Sequence, residues 1–283
     1  MKIYFACTGK DEPIYLMKNN MSDILCSFHY YKTQTEFISN LIKKAADIFI
    51  DSGGFSADTL GTPINIDDYC KFLHDTKAKN YVVLDKIGDA SVTYKNLQYM
   101  RKKGLNPFPV FHTGESEDWL LKFLETSDKI ALGGMVGASP QVLISWLDKV
   151  WKVILNVKPQ MIVHGFGITS PEVMDRYPWF SCDSSSFKSG KRFGRIIHYL
   201  DHKRKFYSTN FNKWVEDYAI KEDCPDILKN SKLRYEITDV YVAKGYTRFA
   251  EYKKTNKKDY SFLTSQMDLF TMIEQVKQEQ NEL

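Results

Sequence analysis

Short apolar runs that each end in a small or polar residue recur along the first two thirds of the chain. There are eight of them, about 25 residues apart on average. They are too short for helices and rich in β-branched and aromatic residues, which is typical of buried strands. The predicted strands are Lys2–Ala6, Ile24–Phe28, Ile48–Asp51, Tyr81–Asp85, Pro109–His112, Ile130–Gly133, Met161–His164 and Trp179–Asp183.

Amphipathic helical patterns fill most of the gaps between these runs. Three of the patterns begin at a serine that can cap a helix, namely Ser116, Ser139 and Ser170, and a proline follows the last two. Eight strands alternating with helices predict an α/β fold, a (β/α)₈ TIM barrel over residues 1–187. The count of eight favours the barrel over an open doubly wound sheet, which six such units would fit equally well.

The character of the sequence changes after Asp183, and we expect residues 188–283 to form a basic, mostly helical extension packed on the barrel. The segment Lys188–Lys205 holds seven lysines and arginines against one acid, and helices are predicted at Asn212–Ile220 and Phe262–Val276. The whole chain has a formal net charge of only +4. That charge permits a nucleic-acid partner without arguing for one.

The cysteines and the hydropathy limit the class of protein further. The five cysteines are far apart and form no CxxC pair, so neither a disulfide framework nor a thiolate zinc site is predicted. A reducing, cytoplasmic compartment fits this usage best. No apolar run approaches the ~20 residues of a membrane span, so no membrane association is expected.

Chemically useful residues stand at the carboxyl ends of the predicted strands, where a barrel of this type carries its active site. They are Asp51, Asp85, His112, the Gly133–Gly134 pair, His164 and Asp183. Each alone is more often a helix cap, a turn former or a structural histidine, and their coincidence at one mouth points to function. A metal-dependent hydrolase is the less favoured alternative, because no HxH follows the first strand and no single element supplies two ligands.

Several short motifs resemble those of one enzyme superfamily, the tRNA-guanine transglycosylases. The five similar segments are Asp51–Phe55 (DSGGF), Leu84–Asp85, Ala131–Met135 (ALGGM), His164–Ile168 (HGFGI) and Phe180–Ser185 (FSCDSS). In detail, the sequences of these segments are most similar to those of the phage DpdA-type branch, which inserts 7-deazaguanines into DNA. Two features depart from the superfamily: only Cys224 follows Asp183, so its CxCxxC zinc site is missing, and His112 stands where the tRNA enzymes have a glutamine.

The resemblance implies a pentosyltransferase that exchanges guanine in DNA for a 7-deazaguanine such as 7-cyano-7-deazaguanine. It makes Asp183 the nucleophile that forms a covalent glycosyl-aspartate intermediate, Asp51 the general acid/base and Asp85 the residue that reads the base. The residues expected around the base are Ser52, Gly53, Phe55, His112, Gly133, Gly134, Met135 and His164. The residues expected to bind the polymer are Lys188, Lys191, Arg192, Arg195, Lys203 and Arg204.

The partners implied are DNA and a free 7-deazaguanine base, with no cofactor and no metal, in the host cytoplasm if the chain is phage-encoded. Three alternatives remain open at this point. The same exchange could act on tRNA, the barrel could be a hydrolase of a small glycoside or nucleoside, or it could be a non-catalytic nucleic-acid-binding barrel. The joint presence of Asp51, Asp85 and Asp183 speaks against the last of these.

Overall fold

The computed structural model describes residues 1–264 except residues 45, 136, 169, 204 and 257, and it describes residues 56–58 by their backbone alone. Its main feature is an eight-stranded parallel sheet in the order β4-β3-β2-β1-β8-β7-β6-β5. The strands are β1 Lys2–Cys7, β2 Asp23–Ser27, β3 Asp47–Asp51, β4 Asn80–Tyr81, β5 Val110–His112, β6 Lys129–Gly133, β7 Ile162–Gly165 and β8 Ser181–Ser184. Seven of them coincide closely with a predicted run and β4 shares only Tyr81 with its run, so the predicted TIM-barrel fold is confirmed although β4 is shorter than predicted.

The two ends of this sheet meet just beyond β4 and just before β5. The amide of Phe108 donates a hydrogen bond of 2.9 Å to the carbonyl of Tyr81, and the amide of Val83 donates one of 2.9 Å to the carbonyl of Phe108. These bonds join the β4 and β5 ends, which is the step that turns a curled sheet into a barrel.

Helices separate the barrel strands and begin where the sequence places capping residues. Ser116 accepts a hydrogen bond from the amide of Asp118, and Ser139 accepts one from the amide of Val142, whereas Ser170 makes no such bond. The barrel helices are α1 Asp11–Lys18, α2 Phe28–Tyr31, α3 Thr35–Lys43, α4 Gly54–Leu60, α5 Ile66–Thr76, α6 Ala90–Lys102, α7 Glu117–Thr126, α8 Pro140–Val157 and α9 Pro171–Arg176. None of the described helices is long and apolar enough to cross a membrane.

The extension begins with a 3₁₀ turn, Ser186–Lys188, and continues with helices and one hairpin. Its helices are α10 Ser189–Phe193, α11 Phe211–Lys221, α12 Asp226–Lys229 and α13 Ser231–Thr255. The hairpin pairs β9 Arg195–Leu200 with β10 Lys205–Asn210 in antiparallel fashion. The predicted basic segment therefore contains a strand that was not foreseen, and most of the predicted helix Phe262–Val276 lies outside the described residues.

Long helix α13 fixes the extension to the barrel. It packs against β1, α1, the 3₁₀ turn and β9. Tyr246 and Phe249 of α13 are buried, and Phe206 of the hairpin packs against both rings. Because β1 and β8 are neighbours in the barrel, α13 lies beside the strand that carries Asp183. The predicted division of the chain at residue 187 stays a prediction.

Candidate functional site

The carboxyl ends of β3 and β8 and the segment after β4 bring three aspartates together. Asp51 is the last residue of β3, Asp183 is the third residue of β8, and Asp85 follows β4. The negative charges of Asp85 and Asp183 both act on Asp51. The sequence placed these carboxylates at one barrel mouth, and the structure places them there.

Asp51 is the aspartate of this mouth whose pKa is raised. Its Oδ2 accepts a hydrogen bond of 3.1 Å from the amide of Gly53. Burial, helped by the charge of Asp85, raises the pKa of Asp51 to about 7. A carboxyl group with such a pKa is protonated in a large fraction of molecules at neutral pH, as a general acid requires.

Asp85 is held by donors on both oxygens. The hydroxyl of Ser52 donates a 2.6 Å hydrogen bond to Oδ1, and Nε2 of His112 lies 3.0 Å from Oδ2. Gly54 packs against this carboxylate, since a Cβ there would lie 2.9 Å from the carbonyl oxygen of Asp85 and 3.2 Å from Oδ1. Each carboxylate oxygen keeps a lone pair for a ligand, so Asp85 can present a fixed pair of acceptors to N–H groups.

His112 lies between two acids, one of which the sequence reasoning missed. Its Nδ1 lies 3.4 Å from Oε1 of Glu115, opposite the contact with Asp85, and its backbone amide donates to Oε2 of Glu115. Burial disfavours the charged imidazole, but the two carboxylates outweigh burial and raise the pKa of His112 to about 9. The only sequence signal for Glu115 is its position three residues after the histidine that ends β5.

Asp183 faces a second histidine. Its Oδ1 accepts a 2.9 Å hydrogen bond from the amide of Gly167 and lies 3.5 Å from Nε2 of His164. The ring of His164 is fully buried, stacks on Phe49 with the ring centres 4.3 Å apart, and bonds through Nδ1 to Ser181. His164 therefore belongs to the barrel interior. From there it can orient the carboxylate of Asp183, but its buried ring is not available to contact a substrate.

The two glycines at the end of β6, Gly133 as its last residue and Gly134 just after it, permit a close approach of the backbone to His112 and Thr113. A Cβ on Gly133 would lie 2.9 Å from Cδ2 of His112. Gly134 has a φ of 75°, and a Cβ there would lie 2.6 Å from Oγ1 of Thr113. The hydroxyl of Thr113 donates a 2.9 Å hydrogen bond to the carbonyl of Gly134. Only glycine fits these positions, which keeps the rim between β5 and β6 thin.

The two residues expected to stack on a flat ligand differ in their surroundings. Phe55 is 61% exposed, so its ring is available at the rim of the mouth. Met135 is 2% exposed and belongs to the apolar core, which makes it a packing residue here.

Gly53 has a φ of 82° and lies against His29, where a Cβ would be 2.7 Å from that residue's Cβ.

The predicted polymer-binding residues do not form one uniform patch. Lys188 is buried, and its Nζ lies 3.3 Å from Glu12 and from Thr8. Four others are exposed, whereas Arg204 lies outside the described residues; the exposed four are Lys191, Arg192, Arg195 and Lys203. Lys188 thus differs from the expected exposed cation, and nucleic-acid binding by the others stays a prediction.

A metal centre has little to bind to in this mouth. Among the residues that the structure describes, no group of three or more histidine, cysteine, aspartate or glutamate side chains is placed to hold a metal ion. The nitrogens of His112 and His164 already face carboxylates or a serine hydroxyl.

Comparison with known proteins shows likeness only to solved structures. No family model matches the chain, and no curated protein does. One similar structure is titled 4-hydroxy-2-oxoglutarate aldolase/2-deydro-3-deoxyphosphogluconate aldolase from TTHB1, with 12% identity, a TM-score of 0.42, and coverage of 65% of this chain and 84% of that one. Another is a protein of Aquifex aeolicus VF5, with 11% identity, a TM-score of 0.45, and coverage of 66% and 84%.

These comparisons correct the function predicted from the sequence. The one activity named among these two similar structures is that of an aldolase and not of a transglycosylase. By this comparison the predicted exchange of guanine in DNA for a 7-deazaguanine is wrong, and so are its alternatives on tRNA or on a small glycoside. At this identity and TM-score, aldolase activity does not transfer to the chain either. The motif resemblance to the transglycosylase superfamily is not tested by these comparisons and stays a prediction.

Proposed function

We propose that this chain is an enzyme that catalyses proton transfer at the barrel mouth, on a flat substrate that carries or develops positive charge. The pKa of Asp51, about 7 beside the carboxylates of Asp85 and Asp183, carries the proposal. Paired carboxyl groups whose proton affinities are driven apart are a common arrangement for general acid–base catalysis. In this arrangement Asp51 gives or takes the proton.

The charge balance of the mouth sets the kind of substrate. Four carboxylates surround it, those of Asp51, Asp85, Glu115 and Asp183, against one protonated imidazole on His112. Such a site stabilises positive charge and repels an anion, because electrostatic interactions are stronger in a partly buried site than in water. Asp183 supplies the negative charge nearest Asp51 on the β8 side, and the 2.9 Å bond from Gly167 fixes its orientation.

In this proposal Asp85 orients the substrate. Its oxygens accept hydrogen bonds, and the contacts with Ser52 and His112 prevent the carboxylate from rotating. A planar group with adjacent N–H donors, such as an amidine or an amino-substituted nitrogen ring, matches two acceptors fixed in one plane. Exposed Phe55 at the rim can cover one face of such a ring.

The proposal is tested with three ligands of the same shape and different charge. Calorimetric titration of the full chain with benzamidine, benzamide and benzoate at pH 7.5 should give binding that is strongest for the cation and absent for the anion. Asp85→Asn and Asp183→Asn should each weaken benzamidine binding by about tenfold, since a charge-assisted hydrogen bond is worth roughly 1.5–3 kcal/mol. Glu216→Gln on α11, an exposed acid, is the matched control.

Two results would contradict this proposal. Benzoate binding as well as benzamidine would show that the mouth does not select positive charge. Benzamidine binding that neither Asp85→Asn nor Asp183→Asn alters would place the cation elsewhere on the chain.

A further inference from the structure

A second cavity, of about 620 Å³, lies between α1, α13 and the segment that follows β8. None of the three mouth aspartates lines it. Its walls carry four lysines, four acids and two tyrosines: Lys10, Lys188, Lys191, Lys232, Asp11, Glu12, Glu236, Asp239, Tyr15 and Tyr235. The inference drawn from it does not rest on the proposed function.

One acceptor in this cavity has no donor. Asp239 is only 3% exposed, and the hydroxyl of Tyr15 donates a 2.7 Å hydrogen bond to its Oδ2. Its Oδ1 is buried and has no hydrogen-bond partner among the described residues. Leaving such an atom unsatisfied costs roughly 1–3 kcal/mol, which a ligand that brings a donor would recover.

Most of the other charges of the cavity are already paired. Lys188 lies 3.3 Å from Glu12, which also accepts the amides of Thr8 and Gly9, and Lys232 lies 3.0 Å from Asp11. These four side chains are thus already paired within the protein.

Two of the four cavity lysines, Lys10 and Lys191, have no carboxylate at ion-pair distance among the described residues, and of these two Lys191 acts on Asp239. Its Nζ lies 5.5 Å from the centre of the Tyr235 ring, and within the described part of the chain no acid lies at ion-pair distance from it. The positive charge of Lys191 nevertheless acts on Asp239 and lowers the pKa of that carboxyl group, because it stabilises the ionised form. The cavity thus offers one unsatisfied buried acceptor and one unpaired cation within electrostatic range of each other.

We propose that this cavity binds a small zwitterion of the α-amino acid class, with its ammonium group on Oδ1 of Asp239 and its carboxylate on Lys191. A simple anion would face Glu12, Glu236 and Asp239, and a simple cation would face the lysines. A molecule with both charges matches what the wall leaves unpaired. The rings of Tyr15 and Tyr235 line the remaining wall and can cover the ligand's side chain.

The proposal includes a dependence on pH. Burial raises the pKa of Asp239 to about 7, so the carboxylate that an ammonium group needs forms as the pH rises through that value. The other charged or titratable groups that act on Asp239 are Cys7 of β1, Glu12 and Tyr15 of α1, Lys188 of the 3₁₀ turn and Lys191 of α10. Burial holds the pKa values of Cys7 and Tyr15 above their usual range, so neither group loses a proton near pH 7.

The test is calorimetric titration of the full chain with the standard L-α-amino acids, one at a time, at pH 8. The best binder is then compared with its N-acetyl and carboxamide derivatives, which remove the ammonium and the carboxylate respectively. We expect each derivative to bind at least about tenfold more weakly, and the parent to bind about tenfold more weakly at pH 6 than at pH 8. Asp239→Asn and Lys191→Gln should reproduce these losses, whereas Lys213→Gln on α11 should bind like the native chain.

Thermal melting shows whether Asp239→Asn folds. If it does not, Lys191→Gln still tests the site, because Lys191 is exposed. The proposal is overturned if no amino acid binds, if the N-acetyl derivative binds as well as its parent, or if Lys191→Gln leaves affinity unchanged. Binding of the carboxamide at full affinity would reduce the site to an amine site and would equally overturn it.

Discussion

Nε2 of His112 lies 3.0 Å from Oδ2 of Asp85, and this contact joins β5 to the segment after β4 inside the barrel mouth. Glu115 lies on the other side of the ring, with 3.4 Å between its Oε1 and Nδ1 of His112. The imidazole is 3% exposed. A buried cation between two acids stabilises the mouth only as long as the cation keeps its proton.

The first prediction concerns the pH dependence of stability that His112 contributes. Its pKa is raised to about 9 in the folded chain, so its contribution is fully present below the unfolded value near 6.5 and is lost as the pH rises through about 9. We expect His112→Gln to remove up to about 3 kcal/mol of this dependence between pH 6 and 10. Urea unfolding of both proteins across that range measures the difference. Two parallel stability curves would show that the pKa of His112 is the same in the folded and unfolded chains.

The second prediction concerns Asp51, whose raised pKa gives a pH dependence of the same direction as that of His112 but in a lower pH window. Between about pH 4 and pH 7, Asp51 holds a proton in the folded chain that it has released in the unfolded chain. The stability that this group contributes is therefore greatest below about pH 4 and is lost as the pH rises through about 7. Asp51→Asn should therefore be more stable than the native chain at pH 8, by no more than about 4 kcal/mol.

The carboxyl groups can also be followed one by one. Carbon-13 NMR of the full chain with labelled aspartate should show two carboxyl signals that titrate near pH 7, those of Asp51 and Asp239. Each signal should vanish in its own asparagine variant. If both aspartates titrate near pH 4, the general-acid role of Asp51 loses its basis.

The third prediction uses two glycines that differ in what surrounds them. In Gly54→Ala the new methyl group would meet the carbonyl oxygen of Asp85 at 2.9 Å, whereas Gly9 has open space around it. We expect Gly54→Ala to push Asp85 away from His112 and lower the pKa of His112, and Gly9→Ala to leave it unchanged. Nitrogen-15 NMR titration of the histidine rings measures this pKa. An unchanged value in Gly54→Ala would mean that Asp85 does not depend on this close packing.

The fourth prediction concerns helix capping. Ser116 accepts a hydrogen bond from Asp118 at the start of α7, whereas Ser170 makes no cap bond at the start of α9. Ser116→Ala should cost about 1 kcal/mol of unfolding free energy, and Ser170→Ala less than half of that. The two urea midpoints check it. Equal losses would show that the side-chain bond at Ser116 contributes nothing.

The strands could be located from the sequence because buried parallel strands are continuous apolar runs. β4 shows the limit of that signal, since it spans only Asn80–Tyr81 instead of Tyr81–Asp85. The amide of Leu84 faces the sulfur of Met100 and its carbonyl accepts from Asn96. Side chains of α6 thus bond the backbone groups of this segment in place of a neighbouring strand. A hydropathy pattern does not reveal this substitution.

The candidate site could be predicted as far as the strand ends define it. Asp51, Asp85 and Asp183 follow from the position of reactive groups in a barrel, but Glu115 lies beyond the end of β5 and is recognisable only once His112 is seen between two acids. The second cavity has no local signature at all, because Tyr15 and Asp239 are 224 positions apart. Hairpin β9–β10 was missed because its basic residues suggested a solvent-exposed face, although Ile196 and His198 alternate toward the interior.

The hydrogen bond between Tyr15 and Asp239 also sets an order in time on the growing chain. At a synthesis rate of roughly 5–20 residues per second, α1 waits about ten to fifty seconds for the helix that covers it. Until then the side of β1 against which α13 packs in the folded chain lacks that cover. A ribosome pause before residue 239 would lengthen this interval, so the rate of translation sets how long this face of β1 stays uncovered.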